Sequence, residues 1–350
     1  MVNIALDAMG GDKGANELIS GAVQAVSAMD LEVTLLGDER VLRSELASHG
    51  NPQRISVVHA PEVVTMEDSP IEGVRRKKNS SIVKAFELHK DGRVQAVVSA
   101  GNSGATMAAA VVMLGRLKMI SRPGIAGIFP TLKGPVVMMD VGANVDCRPQ
   151  HLLQFGVMAA AFSQVLFAKE RPRIGLLSIG EEGGKGNTLV KKTHELFLKS
   201  SLNYIGNVEG RDTFQGMVDV IVCDGFVGNV CLKLSEGLAE AVVTMLREEI
   251  SKSLSAKLGY LLAKDAFGNL KKRIDYAEYG GAPLLGFNGT AIVCHGRSNA
   301  MAIKNAIRVA AELVRNNVNG HILELLEQTD FQGVGDQQNA FQDIDDGVVQ

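Results

Sequence analysis

Lys185 lies in GEEGGKGN, Gly180 to Asn187, a glycine-rich loop that follows an apolar run and opens a helical stretch near Thr188. Backbone N–H groups around Gly184, with Asn187 as the helix cap, form a cradle for a small anion. The spacing does not fit GxxxxGK[ST], since Gly180 is one residue too close to the Gly-Lys pair and Gly186 follows the lysine. A nucleoside triphosphate is therefore disfavoured. DGFVGN, Asp224 to Asn229, has the same strand-to-helix setting. Gly225 and Gly228 let backbone approach a ligand, and Asn229 offers an amide donor or a plain N-cap.

Three further loops and one histidine loop share this placement. DAMGGD supplies Asp7, Gly10, Gly11 and Asp12, and GNSGA supplies Asn102, Ser103 and Gly104. DVGANVDCRPQ offers Asp140, Asn144 and Asp146, and CHGRSN brings His295, Ser298 and Asn299. Each loop alone is equally well explained by turn chemistry. Their recurrence at the ends of apolar runs points to a ligand site, because open α/β sheets bind ligands at the carboxyl ends of strands. No HExxH, EF-hand loop or histidine pair at helical spacing occurs, so no metal is assigned and no cofactor is called for. His194, on a helical stretch, reads as a surface residue.

The elements that must position these loops are short β-branched runs alternating with helices, which reads as a parallel α/β sheet with crossover helices. Ten runs qualify as strands: Val2 to Leu6, Leu31 to Leu36, Ile55 to Ala60, Ala96 to Ser99, Ile125 to Phe129, Val136 to Asp140, Ile174 to Ile179, Tyr204 to Val208, Val218 to Cys223 and Ala291 to Cys294. Residues 1–320 read as one large α/β catalytic domain with a helical excursion over about 230–275, broken near Gly259 and Gly268. Residues 321–350 read as a short helix and an acidic tail, since Phe331 to Gln350 holds four aspartates and no basic residue.

Composition narrows the function classes. At 350 residues, with 46% hydrophobic and 21% charged residues, the chain is long and apolar enough for a sizeable core. The 36 basic and 39 acidic residues give net −3, so no chain-wide positive field favours nucleic acid. Cys147, Cys223, Cys231 and Cys294 form no CxxC pair, as expected of a reducing cytoplasmic setting. The acidic start MVNIALDAMGGD is not a secretory signal, and no apolar window is long enough to span a bilayer. Within the excursion, Leu258, Leu261, Leu262 and Phe267 alternate with Lys264, Lys271, Lys272 and Arg273. Such a basic amphipathic stretch suits an anionic membrane face, an acidic protein partner, or a solvated helix pair.

Taken in order, DAMGGD, MEDSPIEGVRRKKNSS, GNSGA, DVGANVDCRPQHLLQF, SIGEEGGKGN, NVEGRD, DGFVGN, YGGAPLLG and HGRSN resemble the phosphate acyltransferase family of PlsX type, across about residues 2–316. Gly14-Ala15 stands where that family commonly has Ala-Pro, and Ser103 replaces the usual threonine of GNTGA. The resemblance implies a three-layer Rossmann-like fold, akin to isocitrate and isopropylmalate dehydrogenases and to phosphotransacetylases, with a protruding helical excursion. It implies transfer of a fatty acyl group from acyl carrier protein to inorganic phosphate for phospholipid synthesis, with Lys185 and Asn229 as the catalytic pair. It also implies a cytoplasmic homodimer in peripheral contact with the membrane and with a downstream glycerol-3-phosphate acyltransferase. The alternatives are an NADP-dependent isocitrate-type dehydrogenase, which does not need the missing GxGxxG, and a non-enzymatic lipid-surface scaffold. Several of these loops are expected to converge on one oxyanion.

Overall fold

Runs such as Ile4–Leu6 and Val136–Met139 contain no exposed position, which is why they read as continuous apolar stretches instead of alternating ones. The structure, a computed structural model, describes residues 1–274 and 278–329; the side chains of Lys271, Lys272 and Ile274 and the tail from residue 330 lie outside the described residues. Eleven strands form one sheet: β1 (Val2–Asp7), β2 (Leu31–Gly37), β3 (Ile55–His59), β4 (Ala96–Ser99), β5 (Gly124–Thr131), β6 (Gly134–Met139), β7 (Ile174–Leu177), β8 (Tyr204–Val208), β9 (Val220–Val222), β10 (Ala282–Leu285) and β11 (Thr290–Val293). Their order is β3-β2-β1-β4-β11-β10-β5-β6-β9-β7-β8. All ten expected strands are present. The eleventh, β10, lies inside YGGAPLLG and carries Pro283, a residue that sequence patterns place outside strand interiors.

The sheet is mixed, not parallel throughout. β3, β2, β1, β4 and β11 run one way, whereas β10 pairs antiparallel with both β11 and β5, and β5 antiparallel with β6. Consequently β6, β9, β7 and β8 run opposite to the first group. This reversal decides which loops can meet.

Twelve helices complete the described residues: α1 (Ala15–Ala28), α2 (Glu39–Ser48), α3 (Pro70–Arg76), α4 (Ser81–Lys90), α5 (Ser103–Met113), α6 (Pro149–Phe167), α7 (Thr188–Lys199), α8 (Gly225–Ser251), α9 (Leu254–Leu262), α10 (Lys264–Ile274), α11 (Ala300–Arg315) and α12 (Val318–Gln328). α6 is the central one. Every residue from Leu152 to Ser163 is buried, and α7, α11 and α12 all pack on it. Each such leucine or phenylalanine contributes about 1.5–3 kcal/mol relative to exposure.

The excursion is long and bare. Of the 27 residues in α8 only Gly225 and Gly228 are buried, and α9 buries none. The expected breaks at Gly259 and Gly268 do not occur, since both glycines are inside helices. The chain turns instead where Ser253 caps α9, its hydroxyl accepting from Ala256 N at 3.1 Å, and at Ala263.

Candidate active site

The strand reversal divides the loops into two groups. Asp7, Ser99 and Val293 end neighbouring strands β1, β4 and β11, so the loops from Asp7, Asn102 and His295 leave from the same edge. The loops from Asp140, Gly180 and Asp224 leave β6, β7 and β9, which are also neighbours but point the other way. Five strand spacings separate β1 from β6. At about 4.8 Å each, that is roughly 24 Å. The nearest members, β11 and β6, are still three spacings apart, about 14 Å, and their loops leave opposite ends of the sheet, so convergence of the loops on one oxyanion is corrected to two separate clusters.

In the first cluster most of the expected binding residues hold one another. The Asp7 carboxylate accepts from Ser99 Oγ at 2.8 Å and Met9 N at 3.3 Å. Burial raises its pKa, against hydrogen bonds from Ser81, Ser99, Met9 and Gly10. A Cβ on Gly10 would stand 2.6 Å from Gly101 Cα, and one on Gly104 2.7 Å from Pro70, so loop packing is what requires these two glycines. Asn102 caps α5, accepting from Ala105 N at 3.0 Å, and donates to Thr65 O at 3.1 Å. Asp12 N donates to Gly296 O at 2.9 Å, tying the first loop to the histidine loop. There His295 Nδ1 accepts from Arg297 N, Ser298 is buried, and Asn299 caps α11 through Ala302 N at 2.9 Å. Gly11 and Ser103 border this cluster, Ser103 being exposed at the first turn of α5.

The second cluster is built around Asp140, which is fully buried. Its carboxylate accepts from Ile125 N at 3.0 Å, Gly142 N at 3.2 Å, Ala143 N at 3.1 Å, Asn144 N at 2.6 Å and Asn144 Nδ2 at 3.0 Å. Burial raises its pKa while these bonds oppose the rise. Asp140 is therefore a corrected assignment: it folds its own loop and has no lone pair left for a substrate. Asn144 is corrected likewise, since its side-chain NH2 donates to Pro123 O at 2.8 Å and to Asp140 Oδ2 at 3.0 Å, while its backbone carbonyl accepts from Gly225 N at 2.7 Å. Gly225 and Gly228 face Asp140, not a ligand, because a Cβ would stand 2.7 Å from Asp140 Oδ2 and 1.9 Å from Asp140 O respectively.

These packed residues present Asn229 and Lys185. Asp224 is the cap of α8, accepting from Val227 N at 3.0 Å, so Asn229 is released from the capping role open to it. Its half-buried side chain faces Gly142, where an added Cβ would lie 3.5 Å from Asn229 Cβ. Asn187 caps α7 through Val190 N at 2.9 Å, as its position predicts. Lys185 is exposed, and its ammonium has no carboxylate within ion-pair distance among the described residues. Gly184 beside it has nothing within 4 Å of where a Cβ would point. Under the loop, the Ser178 hydroxyl is buried without a partner, and Gly186 passes over it at φ +93°.

Two signals escaped the sequence reading. His194 is half-buried, not a surface residue: its Nδ1 meets the Tyr204 hydroxyl at 2.6 Å, and a Cβ on Gly183 would strike its Nε2 at 2.6 Å. It therefore props the Lys185 loop from below. Around the polar centre, Ile179, Phe226 and Val145 are 83%, 61% and 60% exposed, an apolar rim contributed by all three loops. Burial disfavours the thiolate form of the cysteines, pushing Cys147 and Cys294 to about 12 and raising Cys223 and Cys231 as well.

An α/β sheet with an anion-suited loop cluster and an apolar rim defines the class, and solved structures place the fold within it. A phosphotransacetylase from Streptococcus pyogenes superposes with a TM-score of 0.60 at 18% identity, over 90% of this chain and 94% of that one. A 4-hydroxythreonine-4-phosphate dehydrogenase from Klebsiella pneumoniae gives 0.53 at 16%, over 90% and 100%. Both are likenesses of fold. The model of the fatty acid synthesis protein family matches residues 2–321, and the chain belongs to that family. Among its relatives, the phosphate acyltransferase of Geobacter sulfurreducens is 56% identical over 332 residues, 94% of this chain and 95% of the relative. That of Pelotomaculum thermopropionicum is 52% identical over 344 residues, 98% of this chain and 100% of the relative.

Proposed function

We propose that the protein transfers a fatty acyl group from the thioester of an acyl carrier protein to inorganic phosphate, releasing acyl phosphate and free carrier protein for phospholipid synthesis. The observation that carries this reading is the free Lys185 ammonium and Asn229 amide on adjacent β7 and β9 loops, bordered by exposed Ile179, Phe226 and Val145. A centre that is cationic inside and apolar at its edge suits a product with a phosphate head and a hydrocarbon tail. A phosphate oxygen attacks the thioester carbon, the C–O bond forms, the C–S bond breaks, and the phosphate proton passes to the departing sulfur. No serine or cysteine nucleophile is needed, in keeping with the raised thiol pKa values. Lys185 and Asn229 divide two tasks, stabilising the carbonyl oxygen as it becomes negative and holding phosphate in line. Incubating the purified chain with acyl carrier thioester and phosphate, then trapping with hydroxylamine, is expected to give acyl hydroxamate. Reduction of NADP by a 2-hydroxy acid without hydroxamate would instead establish the dehydrogenase reading.

The excursion supports two contacts, which its charge separates. α8 exposes Val230, Leu234, Leu238, Val242 and Met245 at spacings of three and four, a seam of the period that packs helix against helix. Its four glutamates outnumber Lys233 and Arg247, so an anionic lipid surface would repel it. The seam suits a second copy of the chain. α9 and α10 expose Leu258, Leu261, Leu262 and Leu270 beside Lys257, Lys264 and Arg273, the pattern of a helix lying on anionic lipid, where the downstream glycerol-3-phosphate acyltransferase would be met. Leu234→Glu with Leu238→Glu is expected to sediment as a monomer, and Leu261→Glu with Leu262→Glu to lose co-flotation with anionic vesicles while remaining dimeric. A wild-type monomer, or unchanged flotation, removes the corresponding contact. Among the described residues no helix is long and apolar enough to cross a membrane.

A further inference from the structure

The turn that presents Lys185 is exposed, and one chain of polar side chains reaches it from the sheet. Glu182 to Lys185 is a single turn with Gly183 and Gly184 at its centre, closed by Lys185 N donating to Glu182 O at 2.9 Å. Every residue of the turn is exposed. Two central glycines and one bond give such a turn little to set against the entropy of ordering it. The Glu182 carbonyl takes a second bond, from Asn207 Nδ2 at 3.0 Å. Asn207 is a buried residue of β8, so this bond ties the turn to rigid backbone.

The chemistry of that last acceptor fixes the direction of the whole chain. A backbone carbonyl can only accept, so the Asn207 amide nitrogen points at Glu182 O and its Oδ1 is left as an acceptor on the other side. Oδ1 meets the Tyr204 hydroxyl at 3.3 Å, the longest link, and takes the phenolic proton. The hydroxyl oxygen, having donated its one proton, then accepts from His194 Nδ1 at 2.6 Å. His194 therefore carries a proton on Nδ1. Burial pushes the Tyr204 phenol up to about 13, so its proton stays in place across the neutral range. Stacking on Phe197 of α7, with ring centroids 4.8 Å apart, holds the phenol against the core. At the far edge of the imidazole, Nε2 lies under Gly183, where a Cβ would stand 2.6 Å from it. Gly183 is not in the left-handed region, so the ring is what demands glycine there.

We propose that Asn207, Tyr204 and His194 are positioning residues for Lys185: the hydrogen-bonded chain from His194 through Tyr204 and Asn207 to Glu182 O, with the imidazole beneath Gly183, holds the turn that presents the ammonium. The inference rests on the acyl-transfer reading for its catalytic consequence, whereas order in the turn is measurable without turnover.

Hydrogen exchange of the full chain, read by mass spectrometry on a peptide spanning residues 180–187, is the direct test, because Lys185 N–H is bonded within it. Tyr204→Phe keeps the stacking and removes the hydroxyl, and Asn207→Ala removes the tie to Glu182 O. Each is expected to speed exchange in this peptide by about three- to tenfold, the extra opening that one lost neutral hydrogen bond allows, with exchange in α6 unchanged. Turnover of acyl carrier thioester with phosphate should fall about tenfold or more, as a displaced catalytic group costs rate. In the Lys185→Ala background neither change should lower turnover further, because each acts through that ammonium. His194→Asn, which offers an amide N–H near the place of Nδ1, should keep exchange near wild type, whereas His194→Leu, bulky but without a donor, should not. Faster exchange in the turn supports the assignment even where the chain shows no acyl transfer, so this idea and the acyl-transfer reading can fail separately. Wild-type exchange in the folded Tyr204 and Asn207 variants, a turnover loss that adds to that of Lys185→Ala, or equal behaviour of His194→Asn and His194→Leu overturns it. Should Asn207→Ala fail to fold, Tyr204→Phe, which removes a single oxygen, carries the same comparison.

Discussion

Replacing Lys185 by alanine is expected to lower turnover by a factor of about 10² to 10³ while leaving the melting temperature unchanged, a loss of roughly 3–4 kcal/mol of transition-state stabilisation. The two halves of this expectation have separate grounds. The side chain is exposed and forms no ion pair among the described residues, so its removal takes nothing from the folded state. The loop keeps its shape through backbone contacts that alanine retains, with Lys185 N donating to Glu182 O at 2.9 Å and Asn207 Nδ2 donating to Glu182 O at 3.0 Å. Catalytically, the ammonium has no competing partner among the described residues and is available to charge that appears only during reaction, which is where such a donor is most effective. Steady-state kinetics with acyl carrier thioester, alongside a thermal melt, separate the effects. Turnover within threefold of wild type in a folded variant would remove Lys185 from the mechanism.

The legibility of this cluster in the sequence was uneven, for physical reasons. Capping is local, so Asn187 could be read from the residues that follow it, and it accepts the expected backbone N–H from Val190. β10 could not be read, because Pro283 and the flanking Gly281 and Gly286 hide a strand that exists only through pairing with β11 and β5. Missing β10 also conceals the reversal of strand direction, which is a property of the whole sheet. That is why loops identical in local chemistry were assigned to one site when the sheet separates Asp7 from Asp140. The burial of Asp140 was equally hidden, since its carboxylate is satisfied partly by Ile125 N, fifteen residues away.

Gly228→Ala is expected to be among the most damaging conservative changes in the chain, and Gly184→Ala among the mildest, although both glycines belong to loops of the same appearance. A Cβ on Gly228 would lie 1.9 Å from Asp140 O and 3.0 Å from Cys223 Sγ, both parts of buried backbone or core that cannot swing away. Relief requires α8 to withdraw from the Asp140 loop, which breaks the Gly225 N to Asn144 O bond and carries Asn229 with it. Overpacking of this severity costs about 3 kcal/mol or more. At about 2–4 °C per kcal/mol for a chain of this order, the melting temperature should fall by at least roughly 6 °C. Turnover should fall further than stability explains, because the displaced amide is one of the two proposed donors. Gly184 has open space where its Cβ would point, so alanine there should leave the melt within about 1 °C. Any loss of activity in Gly184→Ala then reports the approach of substrate to the loop, not a change in the protein. A Gly228→Ala protein that melts with wild type would show that α8 is free to shift against Asp140, and the account of how Asn229 is positioned would have to be replaced.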